Sequence, residues 1–289
     1  MSARTNRSLM TAAAGTLLAA ALLAGCAKAP LTNRSQLILI TSDQEMQLGA
    51  TAFKETLGKE TVCKDAALVA QIDALGRRLA AVSHKPGWAW EFATISAPET
   101  VNAFALPGGK VAIYTGLLPV AITEAGLAAV MGHEVAHAIA RHGAERVTQG
   151  LIVDAGMKAT DVSLNEGPHK KTVLGALGLG AQYGVLLPYG RDMELEADEI
   201  GLIYMARAGY DPHEAVAFWK RMAAKAGSGT IELLSTHPDN GRRIQRLEAA
   251  MPKAVAEWQR VTNLGQGAKL KTAACGAGAA SAAPASGAG

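Results

Sequence analysis

Gly132-His133-Glu134-Val135-Ala136-His137 is the stretch that decides the fold and the chemistry of this chain. It lies in an apolar run, from about 122 to 140, that contains no proline and therefore predicts a helix. In a helix, His133 and His137 lie one turn apart on one face, where two imidazoles can bind one Zn²⁺ ion. Glu134 beside them can take a proton from a water molecule that the metal activates. Because chance produces this pattern in roughly 1% of chains of this length, the rest of the chain must supply a third ligand.

The composition of the 289 residues is that of a protein with a sizeable core. Hydrophobic residues make up 49% of the chain and charged residues 18%. The formal net charge of +3 includes Arg4 and Arg7, which lie in the leader described next, so the rest of the chain carries only about +1. No run of basic residues is present, and nucleic acid is therefore not an expected partner.

The first 25 residues have the pattern of a secretory signal peptide. Two arginines precede an apolar core from Leu9 to Leu23, which is shorter than the ~20 residues of a spanning helix. Leu23-Ala24-Gly25-Cys26 resembles a bacterial lipobox, which implies cleavage before Cys26 and lipidation of that cysteine. An ordinary signal peptide followed by an incidental cysteine is the alternative. Ala27, where some lipoproteins have Asp, resembles the outer-membrane lipoproteins of Gram-negative bacteria. We therefore predict a periplasmic protein whose N-terminal lipid anchors it to the outer membrane.

Composition divides the chain into four segments. Residues 1–25 are the predicted signal peptide, 26–40 a tether, 41–263 a single domain, and 264–289 a Gly/Ala/Ser-rich tail that is expected to be disordered.

Two further cysteines, Cys63 and Cys275, could pair in an oxidising periplasm. The sequence does not decide whether they meet.

Apolar periodicity predicts a mostly helical α+β domain with one small sheet. Ser42 and Glu45 have the spacing of a capping box, and Gly143 is a predicted helix C-cap. A polar loop is expected at 159–171, and 172–187 is either a buried helix or a lid segment near the site. The other predicted helices cover 42–57, 65–82, 122–141, 144–158, 191–208, 213–226 and 242–251.

The predicted sheet contains a strand within 88–95 and a hairpin whose turn is Pro107-Gly108-Gly109. This hairpin lies directly before the predicted His133 helix in the sequence. Its first strand has two compatible interpretations: it covers the core, or its edge pairs with an extended peptide substrate. The predicted substrate-binding residues are Asn102, Ala103, Phe104 and Ala105.

A carboxylate from a later helix is the expected third metal ligand. His142 follows His133 by nine residues, which in a continuous helix places it on the opposite side, near a C-terminus where the dipole favours it. In the stretch 193–198, Glu194 can bind the metal, and Asp198 on the same face can accept the N–H of a ligand histidine. The pair Asp192 and Glu196 has the same spacing, and a solvated acidic stripe has the same pattern. The residues alone do not choose among these.

Four motifs in order resemble family 48 of the metallopeptidases, the superfamily of HtpX and the CAAX prenyl proteases. They are N-A-F-A-L-P-G-G at 102–109, G-H-E-V-A-H at 132–137, E-L-E-A-D at 194–198 and S-T-H-P at 235–238. The resemblance covers roughly residues 40–260. Multiple membrane spans are absent from the pattern, which is typical of the soluble periplasmic lipoprotein branch with BepA- and LoiP-type proteins. The resemblance implies a gluzincin-type fold with one Zn²⁺ per chain. It makes His133, His137 and Glu194 the ligands, Glu134 the catalytic base and Asp198 the partner of a ligand histidine.

This resemblance implies a zinc-dependent endopeptidase that hydrolyses unfolded or misassembled envelope proteins, in quality control of the outer membrane. The alternative is a chaperone-like assembly factor or holdase for outer-membrane proteins, with a latent zinc site. Expected partners are unfolded substrates and the outer-membrane assembly machinery. His237 has two interpretations: a catalytic group that stabilises the oxyanion of the tetrahedral intermediate, or a ligand that fills the fourth metal position in a latent state. Arg191 and Arg243 are further candidates for the same neighbourhood.

Overall fold

A computed structural model describes residues 26–153, 170–177, 179, 190–226, 232–237, 241–265, 267–270 and 275. The predicted signal peptide lies outside these residues, as do most of the predicted loop at 159–171, most of the 172–187 segment beyond its first turns, and most of the tail. Among the helices that the structure describes, none combines the length and the apolar composition needed to span a membrane.

The described chain is mostly helical, and the predicted α+β class is confirmed. The strands are β1 (Cys26–Lys28), β2 (Ser35–Leu37), β3 (Glu91–Ile95), β4 (Ala103–Leu106) and β5 (Lys110–Tyr114). The helices are α1 (Ser42–Leu57), α2 (Ala66–Val82), α3 (Leu118–Ala121), α4 (Glu124–Ile139), α5 (His142–Val153), α6 (Lys170–Ala176), α7 (Arg191–Arg207), α8 (His213–Ala226), α9 (Glu232–Thr236) and α10 (Arg242–Trp258). A 3₁₀ turn (Thr115–Leu117) joins β5 to α3.

The three-stranded sheet has the order β3-β5-β4. β4 and β5 form the predicted antiparallel hairpin, with Phe104 opposite Ala112, and β3 pairs with β5 in parallel. Gly108 and Gly109 in the turn have φ of 82° and 79°, a region that glycine adopts without strain. β4 is therefore an edge strand of this sheet, as one of the two interpretations requires.

Helix α4 lies at the centre of the domain because most of its residues are apolar and it is buried on every side. The Thr123 side chain caps it by accepting a hydrogen bond from the Gly126 N–H, and every residue from Ala125 to Ile139 is buried. Helices α4 and α7 touch through backbone: a Cβ on Gly201 would lie 2.7 Å from the His133 nitrogen. This close approach packs α7 directly against α4 at His133.

Three predicted helix ends differ from the structure. The capping box of α1 is formed by Thr41 and Gln44, one residue earlier than predicted, because Glu45 is buried in an ion pair with Arg141. Helix α4 ends at Ile139, since Arg141 has a φ of 59° and turns the chain, so Gly143 lies inside α5 and is not a C-cap. Helix α10 continues through Pro252 to Trp258, where Ala254 extends its buried face.

The predicted tether and the described residues of the predicted tail contact the domain. Residues 26–40, predicted as a tether, contain the β1–β2 hairpin, and Ile38 and Ile40 after it are buried. In the tail, the Leu270 N–H donates to the Ile122 carbonyl, and Cys275 forms a disulfide with Cys63 at a Cα–Cα distance of 5.0 Å. The composition of the tail does not predict these contacts. They are made by a backbone N–H group and by a single cysteine, neither of which changes the Gly/Ala/Ser-rich character of the segment.

Candidate metal centre

Four side chains converge between α4, α7 and the end of α9. His133 and His137 come from α4, Glu194 from the first turn of α7, and His237 directly follows α9. One ligand atom from each lies within 4.8 Å of the other three, and all four residues are buried. The structure thus brings the three predicted ligands and His237 to one point.

Four of the six separations among these ligand atoms are close to those around a tetrahedral ion. Donors about 2.0–2.1 Å from a tetrahedral zinc ion lie about 3.3 Å from one another. His133 Nε2 lies 3.1 Å from His137 Nε2 and 3.3 Å from His237 Nδ1. Glu194 Oε1 lies 3.0 Å from His237 Nδ1 and 3.4 Å from His137 Nε2. Three imidazoles and one carboxylate are also the ligand types that zinc takes in proteins.

The electrostatics of the cluster favour one positive charge. Burial opposes protonation of His133, but hydrogen bonds to Asp198 and Glu194 raise its pKa to about 9. Burial lowers the pKa of His137 well below its usual value. Glu194 Oε2 is buried and lies 3.4 Å from His133 Nε2 and 3.2 Å from Arg243 Nη1, whereas the buried Oε1 atom of Glu134 makes no hydrogen bond. The cluster therefore suits a cation better than a neutral hydrogen-bond network.

Asp198 and Arg243 hold the ring of His133. Asp198 Oδ1 lies 2.9 Å from His133 Nδ1. The fully buried guanidinium of Arg243 donates two hydrogen bonds of 2.7 Å to Asp198 and lies 3.8 Å over the Trp219 ring. Burial would raise the pKa of Asp198, but Arg243 lowers it, so the carboxylate stays ionised and accepts the Nδ1–H of His133. That hydrogen bond leaves Nε2 of the same ring for the metal.

His142 is the residue that the sequence-based prediction misplaced. Its Nδ1 lies 2.9 Å from His137 Nδ1, and its Nε2 lies 2.9 Å from Glu196 Oε2. The prediction assumed one continuous helix, whereas the turn at Arg141 brings His142 back against His137. A helix break was not readable there because no glycine occupies the position of positive φ.

The two residues of the alternative acidic pair on α7, Asp192 and Glu196, lie in different environments. Asp192 is exposed, as is Arg191, and neither belongs to the cluster. Glu196 is buried beside His142. Burial alone would raise its pKa, but hydrogen bonds from His142, Thr32 and Arg34 lower it to about 2. The first turns of α7 are therefore not a solvated acidic stripe.

Glu134 lies beside the cluster without belonging to it. Its Oε1 is 3.5 Å from His237 Nε2, and burial raises the pKa of its carboxyl group. A carboxylate whose pKa is shifted towards neutrality can both accept and return a proton at physiological pH. This is the property required of the predicted base.

The predicted substrate strand faces a nearly closed cleft. Residues Ala103 to Leu106 of β4 are buried, and the Asn102 side chain accepts a hydrogen bond from the Ala103 N–H. Between β4 and the cluster lies a cavity of about 10 Å³, lined in part by Ala105, His137 and Leu177. An extended peptide does not fit there in this conformation, so substrate binding by β4 stays a prediction.

The amino-acid sequence of the chain is similar to those of known proteins. Residues 66–251 match the profile of Peptidase family M48. The chain is 35% identical over 230 residues to the mitochondrial metalloendopeptidase OMA1 of Schizosaccharomyces pombe. This alignment covers 78% of this chain and 66% of the relative. It is 30% identical over 244 residues to human OMA1, of which 46% is covered. It is 29% identical over 203 residues to the beta-barrel assembly-enhancing protease of Escherichia coli, of which 41% is covered. The chain thus spans about two thirds or less of the length of these relatives.

Proposed function

The chain belongs to peptidase family M48, and we propose that it is a zinc-dependent endopeptidase that cleaves unfolded or misassembled proteins of the cell envelope. The observation that carries the proposal is the convergence of His133, His137 and Glu194 with Glu134 beside them. The metalloendopeptidases among its relatives support the same reaction.

Each residue of the site has a part in peptide hydrolysis. His133, His137 and Glu194 would hold the ion, and Asp198 with Arg243 fixes the orientation of His133. Bound Zn²⁺ would polarise the scissile carbonyl and lower the pKa of water. Glu134 would accept the proton of the attacking water and deliver it to the leaving amine, for which its raised pKa suits it.

The substrate is proposed to be extended chain. An edge strand such as β4 binds a peptide through main-chain hydrogen bonds, and only unfolded or mobile chain presents its backbone in that way. Because β4 is buried in this conformation, its edge has to become accessible before a substrate can bind. This requirement fits an enzyme that acts on misassembled proteins and spares folded ones.

The proposed location is the periplasmic face of the outer membrane, with a lipid on Cys26 as the anchor. The disulfide between Cys63 and Cys275 suits an oxidising compartment. The name of the Escherichia coli relative, a beta-barrel assembly-enhancing protease, supports a role in outer-membrane quality control and a partnership with the assembly machinery.

A matched pair of substrates tests the proposed substrate class. We expect a reduced and alkylated protein to be cleaved at least about 100-fold faster than its native, disulfide-bonded form, because native proteins are unfolded less than ~10⁻³ of the time. The rates are measured by gel densitometry with and without a metal chelator. Equal cleavage of both forms would contradict a site that accepts only extended chain.

A second candidate function is a holdase with a latent zinc site, and the convergence of His237 on the ligand cluster favours it. A holdase would suppress aggregation of the unfolded substrate without cleaving it. The same substrate pair therefore distinguishes the two functions.

A further inference from the structure

The N-terminal hairpin contacts the carboxylate that lies behind His137. Arg34, in the loop between β1 and β2, donates from Nε to Glu196 Oε2 at 2.6 Å. Its Nη2 forms a 2.7 Å ion pair with Glu145 on α5, and the Thr32 hydroxyl donates to Glu196 Oε1. Thr32 and Arg34 lie outside residues 66–251, the range that matches the family profile, whereas Glu196 lies inside it.

From Glu196 the contacts continue to a ligand histidine. The Nε2 atom of His137 faces the ligand cluster, so its proton must be on Nδ1. That proton is donated to His142 Nδ1 at 2.9 Å. His142 then carries its own proton on Nε2 and donates it to Glu196 Oε2, also at 2.9 Å. Both rings stay neutral, each nitrogen is satisfied, and the orientation of His137 is fixed from the side away from the cluster.

The two ligand histidines of α4 are thus supported in the same way. His133 is held by Asp198, and Asp198 by the buried Arg243. His137 is held through His142 by Glu196, and Glu196 by Arg34. In both cases an arginine neutralises a buried carboxylate that would otherwise be costly to keep charged. The difference is that Arg34 belongs to the segment that follows Cys26.

We propose that Arg34, Glu196 and His142 are positioning residues for His137, so that the N-terminal hairpin helps to set the metal affinity of the site. The inference rests on the proposed function only in that it needs a metal ion at the cluster. Displacement of the hairpin would leave Glu196 and His142 without their restraint. The site would then bind metal less tightly, which couples the segment next to the proposed lipid anchor to the state of the enzyme.

Zinc affinity of the full chain tests this assignment. We expect Glu196→Ala to weaken Zn²⁺ binding by about 10- to 100-fold, the range found when a partner of a ligand histidine is lost. Arg34→Ala should weaken it in the same direction, and its side chain is 28% exposed, so the variant should fold. Affinities are measured by competition with a chromophoric chelator, and the absorption spectrum of the Co²⁺-loaded protein reports the ligand geometry.

Glu199→Ala is the matched control. Glu199 lies on the same helix and pairs with an arginine, Arg246, at 3.2 Å, but it is partly exposed and is not one of the four converging residues. We expect its Zn²⁺ affinity and Co²⁺ spectrum to equal those of the wild type. If the hairpin contacts were merely structural, Glu196→Ala and Arg34→Ala would lower the thermal midpoint and leave both metal readouts unchanged.

The double variant shows whether Arg34 acts through Glu196. If it does, adding Arg34→Ala to Glu196→Ala produces no further loss of affinity, whereas independent effects would multiply. Unchanged Zn²⁺ affinity in Glu196→Ala, or independent effects, would overturn the assignment while the proposed proteolysis stands. If the two variants bind Zn²⁺ more weakly than the wild type but the wild type does not cleave peptides, the assignment is supported and the proposed function is overturned. A wild-type chain that binds no Zn²⁺ would overturn both.

Discussion

We expect Glu134→Gln to retain the metal ion and to lose proteolysis by a factor of about 10²–10⁴. The carboxylate lies beside the ligand cluster and is not one of the four converging donors, so its loss leaves the cluster intact. The amide has nearly the same shape but cannot accept a proton from water. Metal content by atomic emission and the initial rate of cleavage of an unfolded protein are the two measurements.

Glu124→Gln is the control for this change, because it makes the same substitution at the first residue of the same helix. We expect wild-type metal content and a wild-type rate from it. Turnover by a homogeneous Glu134→Gln preparation at the wild-type rate would show that another group accepts the proton, and the proposed mechanism would be wrong.

We expect His237→Ala to raise basal proteolysis by about tenfold or more. With His237, four protein donors converge on one point, whereas a catalytic zinc site has three and leaves one position open. His237 is also the donor outside α4 and α7, since it directly follows the short helix α9. Its removal should therefore leave the three other ligands in place and open the fourth position. A tenfold rise corresponds to ~1.4 kcal/mol of preference for the closed state.

The measurement is the initial cleavage rate together with the Zn²⁺ content of the variant. His213→Ala, which removes an exposed histidine at the start of α8, is the control and should not change the rate. A large fall in the rate of His237→Ala with zinc retained would instead assign His237 to the oxyanion of the reaction, and the latent interpretation would be wrong.

Regular spacing explains why much of the site could be predicted from the sequence. Residues four apart on a helix share a face whatever the fold, so His133 with His137, and Glu194 with Asp198, could be placed in pairs before the structure. The hairpin at Pro107-Gly108-Gly109 could be predicted for a similar reason, because its turn residues and the two strands that they join are contiguous in the sequence. The choice of Glu194 over the neighbouring carboxylates rested on the family resemblance and not on geometry.

The remaining parts depend on a turn that the sequence does not mark and on contacts between distant segments. His142 reaches His137 only because a non-glycine residue, Arg141, adopts a positive φ, and no composition signal marks such a turn. Arg34 is separated from Glu196 by 162 positions, and Cys63 from Cys275 by 212. Pairings of this kind are set by the packing of the whole domain. The sequence could therefore indicate the ligands of the metal, but not the residues that hold one of those ligands in place.

Metal content combined with chelation tests the central claim most directly. The purified chain should contain one Zn²⁺ per molecule and cleave an unfolded protein. Dialysis against a strong chelator should remove both the metal and the activity, and stoichiometric Zn²⁺ should restore the activity. Cleavage that persists in a chain shown to be free of metal would contradict the proposal of a zinc-dependent endopeptidase, as would an alanine variant of Glu194 with unchanged zinc content.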